Sequence, residues 1–400
     1  MKGPSLAFCC ALLSLAAAPS RSAAPTAAPS RPAAPTAAPA SAPIPAPPAV
    51  SARASILVDY ATGKVLAEHD ADAREEPASL TKLMTAYLIF QALADGRLKL
   101  TDEATISAHA WHAEGSRSFV QVGTQVPVDI LIKGMIVQSG NDATIALAEK
   151  LGGTEDAFAQ MMNEYAKRLG MSATHFVNSD GLPNSDHYTS ARDMATLAAA
   201  LIRQFPQYYG LFSLREFMWN NIRQGNRNTL LGKDPSVDGL KTGHTDAAGF
   251  CLVASATRNG MRLISVVMGA RNERGREEAS AALLNYGYTF YETVHVKAAR
   301  ATVLKPRVYK SATEFAAVGV ADDVYALVPR GQSASLRTEA RLTHEPLIAP
   351  LGPGEKVGEL TVTDAAGTVV GRAPLVMLAA VPQGGLWTRM VDSITLSLRR

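Results

Sequence analysis

Cysteine is scarce in this sequence, with three residues in 400. Cys9 and Cys10 stand in the first ten positions, so the rest of the chain keeps only Cys251, in the apolar context Gly249-Phe250-Cys251-Leu252-Val253. A lone cysteine there reads as a small core residue, not a nucleophile, and no internal disulfide is available to brace the fold. Excess charge of either sign is also missing. The net charge is +3 and falls toward zero if Lys2 and Arg21 leave with a leader, which excludes the concentrated basic surface that nucleic acid requires. No apolar run reaches the roughly 20 residues that a membrane-crossing helix needs. There is no His-Glu-x-x-His zinc signature, no Gly-x-Ser-x-Gly nucleophile elbow and no phosphate-binding glycine loop. Neither a metal nor a cofactor is therefore expected, and His109-Ala110-Trp111-His112 is read as a solvated or partly buried helix.

What the chain does have is apolar material. Hydrophobic residues make up 47% and charged residues 19%, enough for a sizeable core and for two or three compact units. Lys2, the apolar run 6–18 and the small residues that follow form a secretory leader, with cleavage expected between Ala18 and Ala24. Residues 1–23 are thus assigned to a signal peptide; lipid attachment is disfavoured because Phe8 precedes Cys9. Residues 24–50 are almost entirely Ala, Pro, Ser and Thr, with a near-duplication in which Ala24-Pro25-Thr26-Ala27-Ala28-Pro29 returns as Ala34-Pro35-Thr36-Ala37-Ala38-Pro39. Such sequence builds no core and favours extended conformations, so it is read as a disordered linker, with order beginning near Ser51.

Strand-like runs 54–60 and 65–69 flank Ala61-Thr62-Gly63-Lys64, and runs 250–257 and 263–269 flank Arg258-Asn259-Gly260-Met261; both are hairpin signatures. Helical patterns at 80–94, 143–151 and 157–169 lie between them. The expected fold is α+β, one antiparallel sheet assembled from both ends of residues 51–292 and flanked by helices. From about Val294 short β-prone runs with turn signals take over, which points to a small β-rich domain over residues 293–380. The segment 384–400 is helical in pattern.

Three short motifs carry the chemistry. In Ser79-Leu80-Thr81-Lys82 a spacing of three puts both side chains on one face of an opening helix. A serine hydroxyl attacks only when a base takes its proton, and lysine serves as that base when burial or a nearby cation lowers its pKa. A helix N-terminus also favours an oxyanion formed on Ser79. Alone, this is an N-cap serine followed by a surface lysine. In Ser139-Gly140-Asn141 the hydroxyl is placed to relay a proton and the amide to hold Lys82 or a substrate carbonyl; alone, it is a helix cap. Lys241-Thr242-Gly243, followed by His244, precedes a hairpin and is assigned to an edge strand able to pair with an extended peptide. There Lys241 adds charge for a carboxylate and is expected to depress the pKa of Lys82, and Gly243 permits close backbone approach. Alone, it is a polar turn.

Together, in this order, the motifs resemble the Ser-x-x-Lys, Ser-x-Asn and Lys-Thr-Gly set of penicillin-binding proteins and serine β-lactamases. The flanking segments Gly115-Ser116-Arg117-Ser118-Phe119, Gly134-Met135-Ile136-Val137-Gln138, Ala191-Arg192-Asp193-Met194-Ala195 and Val237-Asp238-Gly239-Leu240 narrow the likeness to low-molecular-mass D-alanyl-D-alanine carboxypeptidases of β-lactamase/transpeptidase-like fold. The resemblance implies an acyl-enzyme on Ser79, Lys82 as base, Ser139 and Asn141 as relay and amide, and Lys241 and Thr242 as binders of the terminal carboxylate. It implies an oxyanion site from the backbone N–H groups of Ser79 and His244, the His244 ring being without catalytic duty, and an arginine near the substrate carboxylate, matched by Arg276 after Gly275. The implied reaction removes terminal D-alanine from peptidoglycan stem pentapeptides, with β-lactams as inhibitors entering the same path. Class A β-lactamases carry a further glutamate, and no Glu-x-x-x-Asn element occurs between the second and third motifs, which argues against efficient β-lactam hydrolysis. Asp180, Asp186 and Asp193 are candidates there by residue type only. Competing readings are a DD-endopeptidase, a weak β-lactamase or an inert cell-wall scaffold.

On a helical wheel Leu386, Trp387, Met390, Val391, Ile394 and Leu398 share one face. Such a helix lies flat in lipid headgroups, with Arg389, Arg399 and Arg400 near phosphates. With the leader, this gives an exported protein at the periplasmic face of the cytoplasmic membrane; the plainer alternative is a helix packed on the β domain.

Overall fold

The computed structural model of the protein describes residues 43–398. The expected leader (1–23), the linker up to residue 42, and Arg399 and Arg400 lie outside the described residues. The linker ends earlier than the sequence suggests: Ile44 and Val50 pack against the core and the Pro45 carbonyl accepts a hydrogen bond from the Tyr286 hydroxyl at 3.0 Å. The two apolar side chains in an otherwise small-residue stretch explain the difference.

Five strands form one antiparallel sheet: β1 (Ala54–Asp59), β2 (Val65–His69), β3 (Val237–Thr245), β4 (Gly249–Arg258) and β5 (Met261–Ala270). Their order is β2-β1-β5-β4-β3. The first hairpin joins the last through the β1–β5 ladder, with Ile56 opposite Val266 and Leu57 opposite Ser265. Alternation sorts neighbouring side chains to opposite faces. Ile56, Val253 and Val266 enter one core with α1 (Lys82–Ala94), α2 (Asn141–Gly152), α3 (Glu155–Leu169) and α4 (Ala191–Gln204). Leu57, Leu252 and Val267 enter another, against Leu283 and Leu284 of α5 (Glu273–Phe290). Not all helices lie between the two hairpins: α5 follows the last strand and covers the second face. An antiparallel sheet so covered on both sides needs two-sided apolar strands, which these are.

The central helix is α1. Leu83, Met84, Ala86, Tyr87, Leu88, Ile89 and Phe90 are all buried, so it is apolar around its circumference, the mark of an interior helix. Each of the large aliphatic and phenyl side chains among them contributes about 2 kcal/mol of burial free energy. The consequence for function is that Lys82, its first residue, starts inside the protein.

Strand Tyr291–Lys297 leaves α5 directly and pairs with Val324–Pro329. A second five-stranded sheet follows, of Thr302–Leu304, Val318–Val320, Val369–Met377, Lys356–Thr363 and Arg337–Leu342. It has its own core around Val318, Ala326, Leu360 and Leu375. Two polar contacts tie these β-rich elements to the first sheet's end: Thr293 Oγ1, on the two-stranded pair, donates to Asp59 Oδ1 at 2.6 Å, and Lys64 Nζ donates to the Val370 carbonyl of the five-stranded sheet at 2.9 Å. The last helix is α6 (Leu386–Ser397). Among the described residues no helix is long and apolar enough to cross a membrane.

Candidate active site

A 3₁₀ turn, Ala78–Thr81, runs straight into α1 and carries Ser79 and Lys82 on one side. Ala78 takes φ 45°, a left-handed conformation that costs a non-glycine residue about 1–2 kcal/mol. Thr81 holds the turn, its hydroxyl donating to the Ala78 carbonyl at 2.8 Å. His187 supports the same hydroxyl at 2.8 Å through Nε2, while its Nδ1 accepts from the Val177 N–H. Burial pushes this imidazole down to about 4, so it is neutral, with its proton on Nε2.

Lys82 is 1% exposed. Its Nζ lies 2.9 Å from Ser79 Oγ, 2.7 Å from Asn141 Oδ1 and 2.6 Å from the Asp180 carbonyl oxygen. The last two groups only accept hydrogen bonds. They take the two N–H bonds of a neutral amine, which leaves its lone pair for the Ser79 hydroxyl proton. Asn141 is fixed in the required orientation because its Nδ2 donates to the Glu114 carbonyl at 2.6 Å. Burial lowers Lys82 to about 8, and the Arg227 cation pushes in the same direction against Asp180 and Asp142. The sequence reading assigned that push to Lys241; burial dominates instead, because Lys82 begins an interior helix. Lys241 is itself held well below its usual value, by burial first and then by Lys82 and Arg227.

A π-helical turn, Gly134–Gln138, ends at Ser139, whose φ is 63°. This aims the hydroxyl at β3, where Lys241 Nζ donates to Ser139 Oγ at 2.9 Å and to the Thr242 carbonyl at 2.9 Å. As expected, Lys241-Thr242-Gly243-His244 lies on an edge strand. A Cβ on Gly243 would stand 3.0 Å from the Pro77 carbonyl oxygen and 3.2 Å from the Leu80 nitrogen, so the strand presses on the Ser79 turn only because that side chain is missing. The His244 ring is exposed and rests 4.0 Å from the Phe250 ring. Arg276, in the first turn of α5 and 3% exposed, stacks on Phe250 at 5.6 Å and donates to the Gly243 carbonyl at 3.3 Å. The nine residues singled out in the sequence thus converge. Ser79, Ser139, Asn141, Thr242 and Arg276 help line a cleft of about 400 Å³, with Lys82 and Lys241 buried in its wall.

The family model described as D-alanyl-D-alanine carboxypeptidase matches residues 41–272. The chain belongs to this family. A second model, the C-terminal domain of penicillin-binding protein 5, matches residues 291–383. The D-alanyl-D-alanine carboxypeptidase DacA of Escherichia coli K12 is 44% identical over 361 residues, 88% of this chain and 89% of that protein. Penicillin-binding protein 5 from Haemophilus influenzae superposes with a TM-score of 0.79 at 39% identity, covering 84% of this chain and 99% of the other. Penicillin-binding protein D2 from Listeria monocytogenes, in its ampicillin-bound form, superposes with a TM-score of 0.56 at 31% identity over 60% of this chain and 98% of that one.

For a member of the D-alanyl-D-alanine carboxypeptidase family, four residues at the site carry no motif of their own. Arg227 lines the cleft, its Nε donating to the Gln138 carbonyl at 3.1 Å. Asp180 presents its main-chain oxygen to Lys82. Glu155 holds the neighbouring Ser179 through its N–H at 2.9 Å and its hydroxyl at 2.5 Å. His187 braces the Ser79 turn. Asp186 lies on the exposed part of the loop, and Asp193 accepts from Ala173 and Thr174, a structural pairing. His109 is exposed and pairs with Glu155 at 2.8 Å; among the described residues no His, Cys, Asp and Glu group is arranged to hold a metal. Cys251 is fully buried in β4, where burial pushes its thiol up to about 11.

Proposed function

We propose that the chain is a serine-type D-Ala-D-Ala carboxypeptidase that removes terminal D-alanine from peptidoglycan stem pentapeptides through an acyl-enzyme on Ser79. The observation that carries this is the Lys82 amine, buried, with two acceptors on its hydrogens and Ser79 Oγ at 2.9 Å. The substrate peptide adds to the free edge of β3 as a further strand. Its terminal carboxylate meets Thr242, Arg227 and Arg276, and the guanidinium groups match a carboxylate geometrically. Ser79 attacks the penultimate D-alanine carbonyl as its proton passes to Lys82, and the oxyanion meets the N–H groups of Ser79 and His244. Ser139, its hydroxyl held by Lys241, passes the proton on from Lys82 to the departing amine, D-alanine leaves, and water then releases the shortened peptide. A β-lactam acylates Ser79 by the same first step.

A stem pentapeptide assayed with a fluorescent penicillin tests this. The protein is expected to release free D-alanine and to label covalently, and the Ser79→Ala variant to do neither. Labelling with no D-alanine release would point instead to an endopeptidase or β-lactamase, and no labelling to a scaffold.

The leader expected from the sequence and the exposed face of α6 support an exported protein held at the periplasmic face of the cytoplasmic membrane. On that helix Leu386, Trp387, Met390, Ile394 and Leu398 are exposed, while Asp392 is turned inward and accepts from the Lys310 N–H. An apolar face presented outward on a helix pinned by its polar side suits burial among lipid headgroups. Deleting residues 386–400 is expected to move the protein from the membrane pellet to the supernatant. A truncated protein that still sediments with membranes would overturn this placement.

A further inference from the structure

Asp180 lines the cleft and is 2% exposed. Its carboxyl Oδ1 accepts from the Leu182 N–H at 3.0 Å, but Oδ2 is buried and has no hydrogen-bond partner among the described residues. An unpaired buried polar atom costs about 1–3 kcal/mol, so a nearby positive charge would stabilise it. The other carboxylates facing Lys82 are committed elsewhere. Asp142, on α2, accepts from the N–H groups of Ser118, Val120 and Ala143, and Glu155, on α3, from Ser179 and His109. The remaining charged groups around Lys82 are the cations Arg227 and Lys241. Asp180 cannot swing away easily. The Ser179 carbonyl accepts from the Thr85 hydroxyl at 2.6 Å, and the Gly181 N–H donates to Asn178 Oδ1 at 2.7 Å.

Resting on the proposed reaction at Ser79, we propose that Asp180 is a positioning residue for Lys82 at both of its ends: its main-chain carbonyl aims the amine at Ser79, and its carboxyl supplies the counter-charge for the ammonium formed on attack. In that step the bond from Ser79 Oγ to the substrate carbonyl carbon forms and the Oγ–H bond breaks. The proton goes to the Lys82 lone pair, and the carbonyl π electrons go to the oxygen. A cation appears at Lys82, which is 1% exposed, and the uncommitted oxygen of Asp180 answers it. Burial favours the neutral form of both groups, raising the carboxyl and lowering the amine, while each charge opposes that effect on the other. The Asp180 carboxylate thus favours the ammonium against the burial that disfavours it.

The test is the rate of Ser79 acylation by fluorescent penicillin as a function of pH, in the full chain and in Asp180→Asn, Asp180→Ser and Asp180→Glu. Removing the counter-charge makes Lys82 a weaker base that is free at lower pH. Asp180→Asn is expected to move the acid limb to lower pH, by about one unit, and to lower the plateau. Asp180→Ser, a second neutral variant should the amide misfold, is expected to move the limb the same way, and Asp180→Glu to leave it in place. A plateau that falls in both neutral variants while the limb stays fixed would show a merely structural role and overturn the inference. Failure of the unaltered protein to label at all would overturn the reading of Ser79 itself.

Discussion

Lys82→Met is expected to slow penicillin acylation of Ser79 by about a thousandfold, the usual loss when a general base is removed. Methionine is close to lysine in length and suits a site that is 1% exposed, so the fold is expected to persist, at a cost of about 1–3 kcal/mol for the buried acceptors left without a donor. What disappears is the lone pair that Asn141 Oδ1 and the Asp180 carbonyl direct at Ser79. The same argument gives the pH dependence of the unaltered protein. Lys82 titrates near 8, and only the unprotonated amine accepts the serine proton. Acylation is expected to rise about tenfold per pH unit below that value and to level off above it. A stopped-flow series that showed less than a tenfold loss in Lys82→Met, or a rate falling as pH rises toward 8, would remove Lys82 from the role of base.

The second large effect belongs to a residue without a side chain. Gly181 has φ 90°, and a Cβ built on it would stand 1.8 Å from the Ala78 carbonyl oxygen and 2.8 Å from Thr81 Oγ1. The clash is with the backbone of the Ser79 turn, and the conformation itself is one that L side chains avoid. Gly181→Ala therefore has to push Ser79 and Asp180 apart. It is expected to cost about 3 kcal/mol or more, seen as a fall of several degrees in the thermal midpoint together with loss of penicillin labelling. An alanine variant that melts and labels like the unaltered protein would mean that the loop and the turn are free to separate.

The residues that were legible in the sequence are those whose motifs are local. Ser79 with Lys82, Ser139 with Asn141, and Lys241 with Thr242 and Gly243 are each ambiguous alone and become specific together and in order, while the two hairpins show by their turns. Arg227, Asp180, Glu155 and His187 act across gaps that no spacing rule covers: Lys82 meets Asp180 98 residues away and Thr81 meets His187 106 residues away. Arg227 looks like any surface arginine until the fold sets it beside two lysines. Motif order says nothing about depth, so the sequence points to Lys241 where burial acts first on Lys82. Helices α4 and α5 lie outside the helical patterns expected from the sequence, although their caps are present in it. Ser190 and Asn272 each accept from an N–H three residues on. The π-helical turn before Ser139 has no sequence signal at all, yet it sets the direction of that hydroxyl.

Because Ser79, Asn141 and Asp180 reach Lys82 from three separate stretches of chain, a covalent label on the serine is also a gauge of conformational integrity. A molecule whose sheet has frayed, or whose 178–182 loop has detached, still carries the serine but has no activated oxygen to offer. Labelling intensity is thus expected to decline along the same denaturation curve as the cooperative loss of structure, which makes an antibiotic a reporter of native protein in crude mixtures.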